Sequence, residues 1–560
     1  MKIAAGRPLL IYDGDCGFCR RWILFFKMLS GPLVAYAPYQ RVKKNFPNIS
    51  LDSFKQSVQL VDRDDKIYQG AEAVFRSLTY VPGQTGWMWL YRFVPGFKFF
   101  SELFYRMVAK YRYFFSKLTR IFYGEDLKPA SYVFVRTLFL RGLGLIYLSA
   151  FISLLVQVKG LIGSHGILPI AQAFPWASDG VLVMGCWLGI LASVLIVAGI
   201  FPAIPLTLCW GLYLAYVIAG QVFFTFQWDV LLLEVGFLAI FFPGGKPSMF
   251  MIWLFRWLLF RLMFASGLVK LYSGDLVWRN FTALDFHYQT QPLPHMLSWF
   301  AHFMPHTIHA ASMWLMYGIE LVVPFLIFFP RRARFVAAGA IIGLMAMIML
   351  TGNYCFFNFL VILLCLLLMD DRFFGRFSKK IVLPSGTLVR YARILVFVLI
   401  MYWSVSLELG RFALQSPPPS IPANIVNGYG LFAVMTTHRN EIIIEGSQDG
   451  KNWEAYEFKW KPGDMHRRPS WVQPHQPRLD WQMWFAALSD YRYQPWFMQF
   501  LVRLTEGSSD VTELLAKNPF KDHPPRYIRA QLYEYVFSKS PGQWWDRTYI
   551  GPYTPTFTVR

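Results

Sequence analysis

Three textures of hydrophobic and polar positions follow one another along the chain. In the first, short apolar runs alternate with amphipathic ones. Pro8-Leu9-Leu10-Ile11-Tyr12, Leu33–Tyr36 and Val58–Val61 read as strands, and Phe18–Met28 and Ala71–Leu78 as helices. Phe97–Phe122 follows as an aromatic, basic helix whose charge density rules out a membrane span and suits a lipid surface. The second texture, from Ser131 to Arg411, is apolar and aromatic, broken only by short polar connectors. A soluble core cannot hide so many long apolar runs, so this block predicts membrane helices. About nine are expected, near 134–157, 180–200, 203–225, 228–244, 249–272, 307–329, 335–352, 354–369 and 391–411. In the third texture Pro417-Pro418-Pro419 marks a linker and polar β patterning begins. Glu441–Ser447 followed by Asp449-Gly450 reads as a hairpin. Aromatic residues crowd 453–500, and a helix-rich stretch precedes a strand-like tail.

The predicted fold class is therefore a polytopic α-helical membrane protein flanked by two modules. An N-terminal α/β module covers 1–115, an amphipathic linker 116–132, the membrane block 133–411 and a β-rich exoplasmic domain 412–560. The first residues, MKIAAGRPLLIYDGD, lack the apolar core and small-residue cleavage site of a signal peptide.

Charge adds orientation. A formal net charge of +21 over 560 residues raises the question of nucleic acid. However, Lys and Arg gather beside apolar runs, as in Arg331-Arg332-Ala333-Arg334 and Lys379-Lys380, which points to positive-inside orientation instead. Even-numbered connectors carry Lys246, the Arg331–Arg334 cluster and the basic 371–393 segment, while odd ones carry chiefly Lys159 and Arg279. The expected topology has a cytoplasmic N-terminal module and an exoplasmic C-terminal one.

Of six cysteines, Cys186, Cys209, Cys355 and Cys365 lie in apolar runs and read as packing residues. Cys16 and Cys19 form the only motif, Asp13-Gly14-Asp15-Cys16-Gly17-Phe18-Cys19, at a strand-to-helix turn. The free N–H groups and dipole of a helix N-terminus stabilise a thiolate on the first cysteine, and the second, one turn on, is placed to resolve a mixed disulfide. Arg20 and Arg21 add positive charge. The alternatives are a redox-silent remnant or half of a zinc site, although no second C-x-x-C or H-x-x-H lies nearby. No metal site is predicted.

Ionisable residues inside spans are costly and are functional candidates by default. Asp229 and Glu234 fall in the fourth expected span, Arg256, Arg261 and Lys270 in the fifth and Glu320 in the sixth. Asp229 and Lys270 come out at the same outer depth, where His165 and Asp275 also open. A candidate membrane site of His165, Asp229, Glu234, Lys270 and Asp275 results. The competing reading makes Asp229–Lys270 and Glu234–Arg261 structural ion pairs.

YDGDCGFCRRW and the later LFYRMVAKYR (103–112) resemble the DCC family of thiol-disulfide oxidoreductases over about residues 7–115. The resemblance implies a thioredoxin-like fold with Cys16 attacking and Cys19 resolving. From about Ala130 onward the chain resembles the lipase maturation factor family. LIGSHGILP (161–169), QWDVLLLEVGF (227–237), KLYSGDLVWR (270–279), LDFHYQTQPLP (284–294), EGSQDG (445–450), KPGD (461–464) and PHQPRLDW (474–481) carry it. A fainter likeness links the membrane block to the HTTM group that includes vitamin K-dependent γ-carboxylase, through the GSHGILP connector and Lys270 in Gly267-Leu268-Val269-Lys270-Leu271.

These resemblances imply a membrane-bound maturation or folding factor for exported proteins such as lipases, with a redox-active dithiol and a cellular thiol-redox partner. The fused DCC module suggests a bacterial inner membrane. His475, Arg478, Asp480 and Trp481 are the candidate surface for docking a client or the membrane block. The alternative is a membrane-embedded enzyme acting on a lipid or quinone-like cofactor, with Lys270 as base. Membrane lipids are expected partners on either reading; nucleic acid is not.

Overall fold

The computed structural model describes residues 6–124, 127, 130–170, 174–375, 386–414 and 421–558. Lys379-Lys380 and Pro417–Pro419 lie outside them. The chain forms two compact units, one of residues 1–131 with 329–333, the other of 132–328 with 334–560.

The first unit is built on a four-stranded sheet. Strand β1 (Leu9–Tyr12) leads through the cysteine turn into helix α1 (Gly17–Ser30) and back to β2 (Ala35–Pro38), which lies parallel to β1. β3 (Gln59–Val61) pairs antiparallel with β1 on its other side and carries β4 (Ile67–Gln69) at the edge, giving the order β2-β1-β3-β4. This β-α-β then β-β-α arrangement is the thioredoxin-like topology that the resemblance implied. Alternate residues of β1 face opposite ways. Leu10 packs with Ile23, Val34, Leu60 and Ala73, whereas Leu9 and Ile11 pack with Tyr39 and Phe54.

The expected 97–122 helix is in fact two, α2 (Phe97–Lys110) and α3 (Arg112–Tyr123), broken at Tyr111. Neither is a mere surface linker, because polar side chains tie both to the sheet domain. Glu102 of α2 accepts from the Ala71 and Glu72 amides (3.4 and 3.1 Å) at the start of the Gly70–Thr79 helix and from the Tyr91 hydroxyl (2.9 Å). Tyr123 of α3 packs edge-on against Trp22, so α3 runs straight across the boundary at 115. The opposite faces keep Phe99, Phe100, Leu103, Tyr113 and Phe114 exposed.

In the second unit, among the described residues, seven helices are long and apolar enough to cross a membrane: α4 (Val133–Leu155), α5 (Asp179–Ala198), α6 (Ala203–Phe224), α8 (Met249–Tyr272), α9 (His306–Phe328), α10 (Arg331–Thr351) and α12 (Thr387–Leu414). Two of the nine expected segments are shorter, α7 (Gln227–Ile240) and α11 (Phe357–Leu368). At 1.5 Å per residue the 14 residues of α7 rise about 21 Å, against a hydrocarbon core of about 30 Å. Most of both helices is buried within the unit.

Hydrogen bonds show how these helices run. At one end Asp371, just past α11, accepts from the first amides of α4 (2.9 and 3.0 Å), and Arg393 of α12 reaches the Phe241 and Pro243 carbonyls past α7 (2.8 and 2.7 Å). At the other end the last turn of α4, the first turn of α7 and the start of α11 all meet the C-terminal domain, as described below. α4, α7 and α11 thus each connect the same two ends.

The C-terminal domain centres on β5 (Asn440–Ser447), which pairs antiparallel along its length with β6 (Tyr527–Phe537); β6 pairs in turn with β7 (Trp545–Pro552). The expected hairpin exists, with Glu445 and Gly446 opposite Ala455 and Glu454, but it is a two-residue appendage. The long partner of β5 lies some eighty residues away. One continuous apolar core runs from Tyr132 in the membrane block to Tyr553 in this domain.

Candidate functional site

The cysteine turn is held from both sides. Gln40, just after β2, accepts from the Gly14 amide and donates to Asp13 and Asp15, each at 3.0 Å. Cys16 is the N-cap of α1, and its sulfur accepts from the Cys19 amide at 3.4 Å. This donor is one of the amides that a helix start leaves without a backbone partner. The Cys16 thiol is held down at about 6, from an ordinary 9.0, chiefly by the Cys19 thiol, with the Cys19 amide and the Arg112 charge assisting. Cys19 is pushed far up, first by its hydrogen bond to Cys16 and then by burial. One thiol is therefore a ready nucleophile near neutrality and the other stays protonated until a mixed disulfide forms.

The cation beside the pair is Arg112 rather than Arg20 or Arg21. Arg20 is exposed and Arg21 reaches the Ser116 carbonyl, whereas Arg112 pairs with Asp13 at 3.4 Å and donates to the Lys55 and Gln56 carbonyls. Arg112 lies nearly a hundred residues from the motif, and only its place in the matching 103–112 stretch could have flagged it. An apolar cavity of about 370 Å³ opens beside Cys19, walled by Trp22, Phe26, Phe104, Tyr105 and Arg112.

The candidate membrane site does not assemble as one cluster. Asp229 is paired with Arg478 of the C-terminal domain at 2.8 Å and takes a hydrogen bond from the Tyr213 hydroxyl at 2.5 Å. Lys270 pairs with Glu320 at 2.8 Å, so the expected Asp229–Lys270 pair is not made. Glu234 pairs with Arg261, as the ion-pair reading expected, and also accepts from Tyr429 (2.7 Å) and the Asn427 amide (3.0 Å). Asp275 caps the short Leu276–Arg279 helix and accepts from the Met435 amide at 2.7 Å. The His165 side chain is exposed, while its carbonyl accepts from Ser508 at 2.7 Å. Each charge has found a separate partner because a charge buried without one costs several kcal/mol. Lys270 is turned to Glu320 rather than to a cleft shared with Asp229 and His165, which weighs against its use as a base there.

The four candidate docking residues are also occupied within the chain. His475 meets the Ser153 hydroxyl of α4 at 2.8 Å, and Arg478 grips Asp229. Asp480 accepts from the Trp460 and Lys461 amides, and Trp481 packs edge-on against Trp228. Gln157 and Asn353 bind the same segment, at the Gln476 carbonyl (2.8 Å) and the Val472 amide (2.8 Å). His475, Arg478 and Trp481 dock on the membrane block of their own chain, while Asp480 holds the C-terminal domain itself together; Arg478, Asp480 and Trp481 are buried and present no face to a client. Among the described residues no group of three or more His, Cys, Asp or Glu is placed to hold a metal.

The separation into a thioredoxin-like dithiol unit and a membrane block clamped by its C-terminal domain is matched by comparison with known proteins. Residues 134–179 and 172–376 match the lipase maturation factor transmembrane domain, and 425–555 the lipase maturation factor C-terminal domain. Lipase maturation factor 2 of Gallus gallus is 34% identical over 76% of this chain and 81% of its own length. Lipase maturation factor 1 of Bos taurus is 32% identical over 77% of this chain and 91% of its own. The chain belongs to the lipase maturation factor family. Residues 10–118 match a second family, the DCC1-like thiol-disulfide oxidoreductases. No solved structure matches the chain. The family assignment thus rests on the docked block of 132–560, and the dithiol unit precedes it.

Proposed function

We propose that this chain is a membrane-bound maturation factor for exported proteins, lipases among them, that carries its own thiol-disulfide module. The observation that carries this reading is identity above 30% with relatives named lipase maturation factors, across the membrane block and the C-terminal domain together. The C-terminal domain is locked onto the helices by a buried Arg478–Asp229 pair, so the two act on a client as one body. The Cys16 thiolate attacks a disulfide, Cys19 resolves it, and a cellular thiol-redox partner returns the pair to its working state. The test is deletion in the native host. Secreted lipase should keep its antigen level but lose specific activity, and the wild-type chain should restore it. Unchanged activity per lipase molecule would sink the proposal.

The proposed orientation, in a bacterial inner membrane, has the dithiol unit in the cytoplasm and the C-terminal domain outside. Basic residues support it: Arg136, Arg256, Arg334 and Arg393 gather at the end of the bundle opposite the C-terminal domain. Exposed aromatic residues on α2 and α3 suit contact with the lipid surface. In this orientation the dithiol acts through an electron partner on its own side rather than on clients directly. A membrane-impermeant maleimide should label Cys16 only after permeabilisation, while a C-terminal tag is cut in intact cells. Labelling of Cys16 in intact cells would reverse the orientation and make direct exchange with clients the mechanism.

A further inference from the structure

A cavity of about 920 Å³ lies inside the membrane block, near the upper end of the range for ligand sites. α8, α9, α10 and α11 wall it with Leu262, Met263, Ile319, Leu344 and Val361, so most of its surface is aliphatic. Its mouth lies between α9 and α10, where Trp314, Leu315, Val322 and Met347 line the cavity and yet are 59–66% exposed. These residues sit on the apolar flanks of two spanning helices, so the way in is from the hydrocarbon phase. Gly339 and Gly343 of α10 keep the space open, with no atom within 4 Å of where a Cβ would stand.

The polar groups of the cavity specify what fits. Asn358 is 1% exposed, and among the described residues neither its amide nitrogen nor its oxygen has a hydrogen-bond partner. Such a group is costly unless something satisfies it. His287 is constrained further. The Gln291 amide donates to the Thr351 and Tyr288 carbonyls (2.6 and 3.1 Å), which fixes its oxygen as the acceptor of the Tyr354 hydroxyl at 3.0 Å. Tyr354 has then spent its proton, so His287 Nε2, at 3.1 Å, must donate to it. His287 Nδ1, which has no partner among the described residues, is left as a bare acceptor.

Two residues of the cavity lining thus hold buried polar atoms without partners, an acceptor on His287 and both a donor and an acceptor on Asn358. The charges of the wall cancel. Lys270 spends its three protons on both oxygens of Glu320 (3.1 and 2.8 Å) and on the Ser266 carbonyl (2.9 Å). Glu320 sits on a turn of π-helix, Gly318–Val322, a local widening of α9 that is frequent at functional sites.

We infer that this cavity binds a single neutral amphiphile that enters laterally from the membrane, with an acyl chain against the aliphatic wall and an uncharged head bearing hydroxyl and ester carbonyl groups, the chemistry of a monoacylglycerol. A hydroxyl of the head donates to His287 Nδ1, and the ester carbonyl accepts from the Asn358 amide. A charged head has no counter-charge to meet, because Lys270 and Glu320 already satisfy each other. This site is separate from the dithiol and holds whether or not the maturation role does.

The experiment uses the full chain in lipid nanodiscs with a monoacylglycerol carrying a diazirine at the end of its chain. After irradiation, adducts mapped by peptide mass spectrometry should fall on residues 312–323 and 339–351. Unlabelled monooleoylglycerol should compete at least tenfold better than oleate or lysophosphatidylglycerol of equal chain length. Asn358→Leu, which keeps the volume and removes the amide, should weaken labelling tenfold or more. Gly343→Phe, built into the open space, should abolish it. Adducts spread evenly over lipid-facing helices such as α5 would overturn the inference, as would equal competition by the anionic lipids. Both of those readouts use the unaltered chain, so they stand even if a variant misfolds.

Discussion

Arg478 is the residue whose loss should be felt across the whole of the second unit. Its guanidinium donates to both carboxylate oxygens of Asp229 (2.8 and 2.9 Å), to the Phe223 carbonyl (2.7 Å) and to the Tyr213 hydroxyl (3.2 Å). It also lies over the Phe224 ring at 3.8 Å. Both partners are shielded from solvent, with side-chain exposures of 1% and 0%. Arg478→Met leaves the Asp229 charge, a carbonyl and a hydroxyl without their donor inside the protein. Removing one partner of a buried pair costs about 3–5 kcal/mol. Replacing both by apolar residues of similar size removes the orphan, so Arg478→Met with Asp229→Leu should recover to within about 1 kcal/mol of the parent. The assay is a double-mutant cycle on unfolding in mixed micelles, read by SDS titration, with proteolysis of the C-terminal domain in parallel. The single variant should free that domain to protease. If the two single losses simply add in the double variant, the pair is not coupled and the argument for a clamp fails.

Further outcomes follow from other contacts. Alkylation of Cys16 should follow a titration centred near pH 6 and far outpace Cys19 at neutrality, with Arg112→Ala moving the midpoint upward; a midpoint near 9 would refute the assignment. Because the folded thiol is depressed, its stabilising contribution in the reduced protein is full above about pH 9 and is lost as pH falls to about 6, which denaturant titration of the 1–131 unit within the full chain can follow. Glu102→Ala removes the acceptor that caps the Gly70–Thr79 helix and should cost about 1–2 kcal/mol, seen as local loss of amide exchange protection there. Gly160→Ala would drive a Cβ into the Asp510 carbonyl; it should destabilise the docked C-terminal domain by about 1–3 kcal/mol, and an unchanged unfolding midpoint would contradict that close approach.

How far the chain could be read in advance differs from element to element. β1, α1 and the Cys16–Cys19 turn were legible because each rests on local pattern: a continuous apolar run buried on both faces, a helix start and a two-residue spacing. β4 was missed because Ile67-Tyr68-Gln69 is a short, mostly exposed edge whose only signal is its pairing with β3. The break at Tyr111 escaped notice because neither glycine nor proline marks it; Glu102, Tyr105 and Arg112 bind the sheet domain there instead. Asp229, Glu234 and Lys270 were recognisable as unusual from hydropathy alone. The Glu234–Arg261 pair was foreseen as well. The other partners were not, since Arg478 lies 249 positions from Asp229, Tyr429 195 from Glu234 and Glu320 50 from Lys270.

The unbroken apolar runs, the basic connectors and the C-x-x-C turn required a membrane block and a dithiol module, because burial of apolar surface and helix-terminal chemistry act over a few residues at a time. Which charge meets which is a matter of helix packing. Only the assembled fold could separate five candidate site residues into independent contacts, decide between a client and the membrane block for the docking surface by turning it inward as a clamp, and leave polar atoms of Asn358 and His287 unsatisfied around an open cavity. Charges and amides in a low-dielectric interior take whatever partner the packing brings within 3 Å, and spacing along the chain carries no record of that.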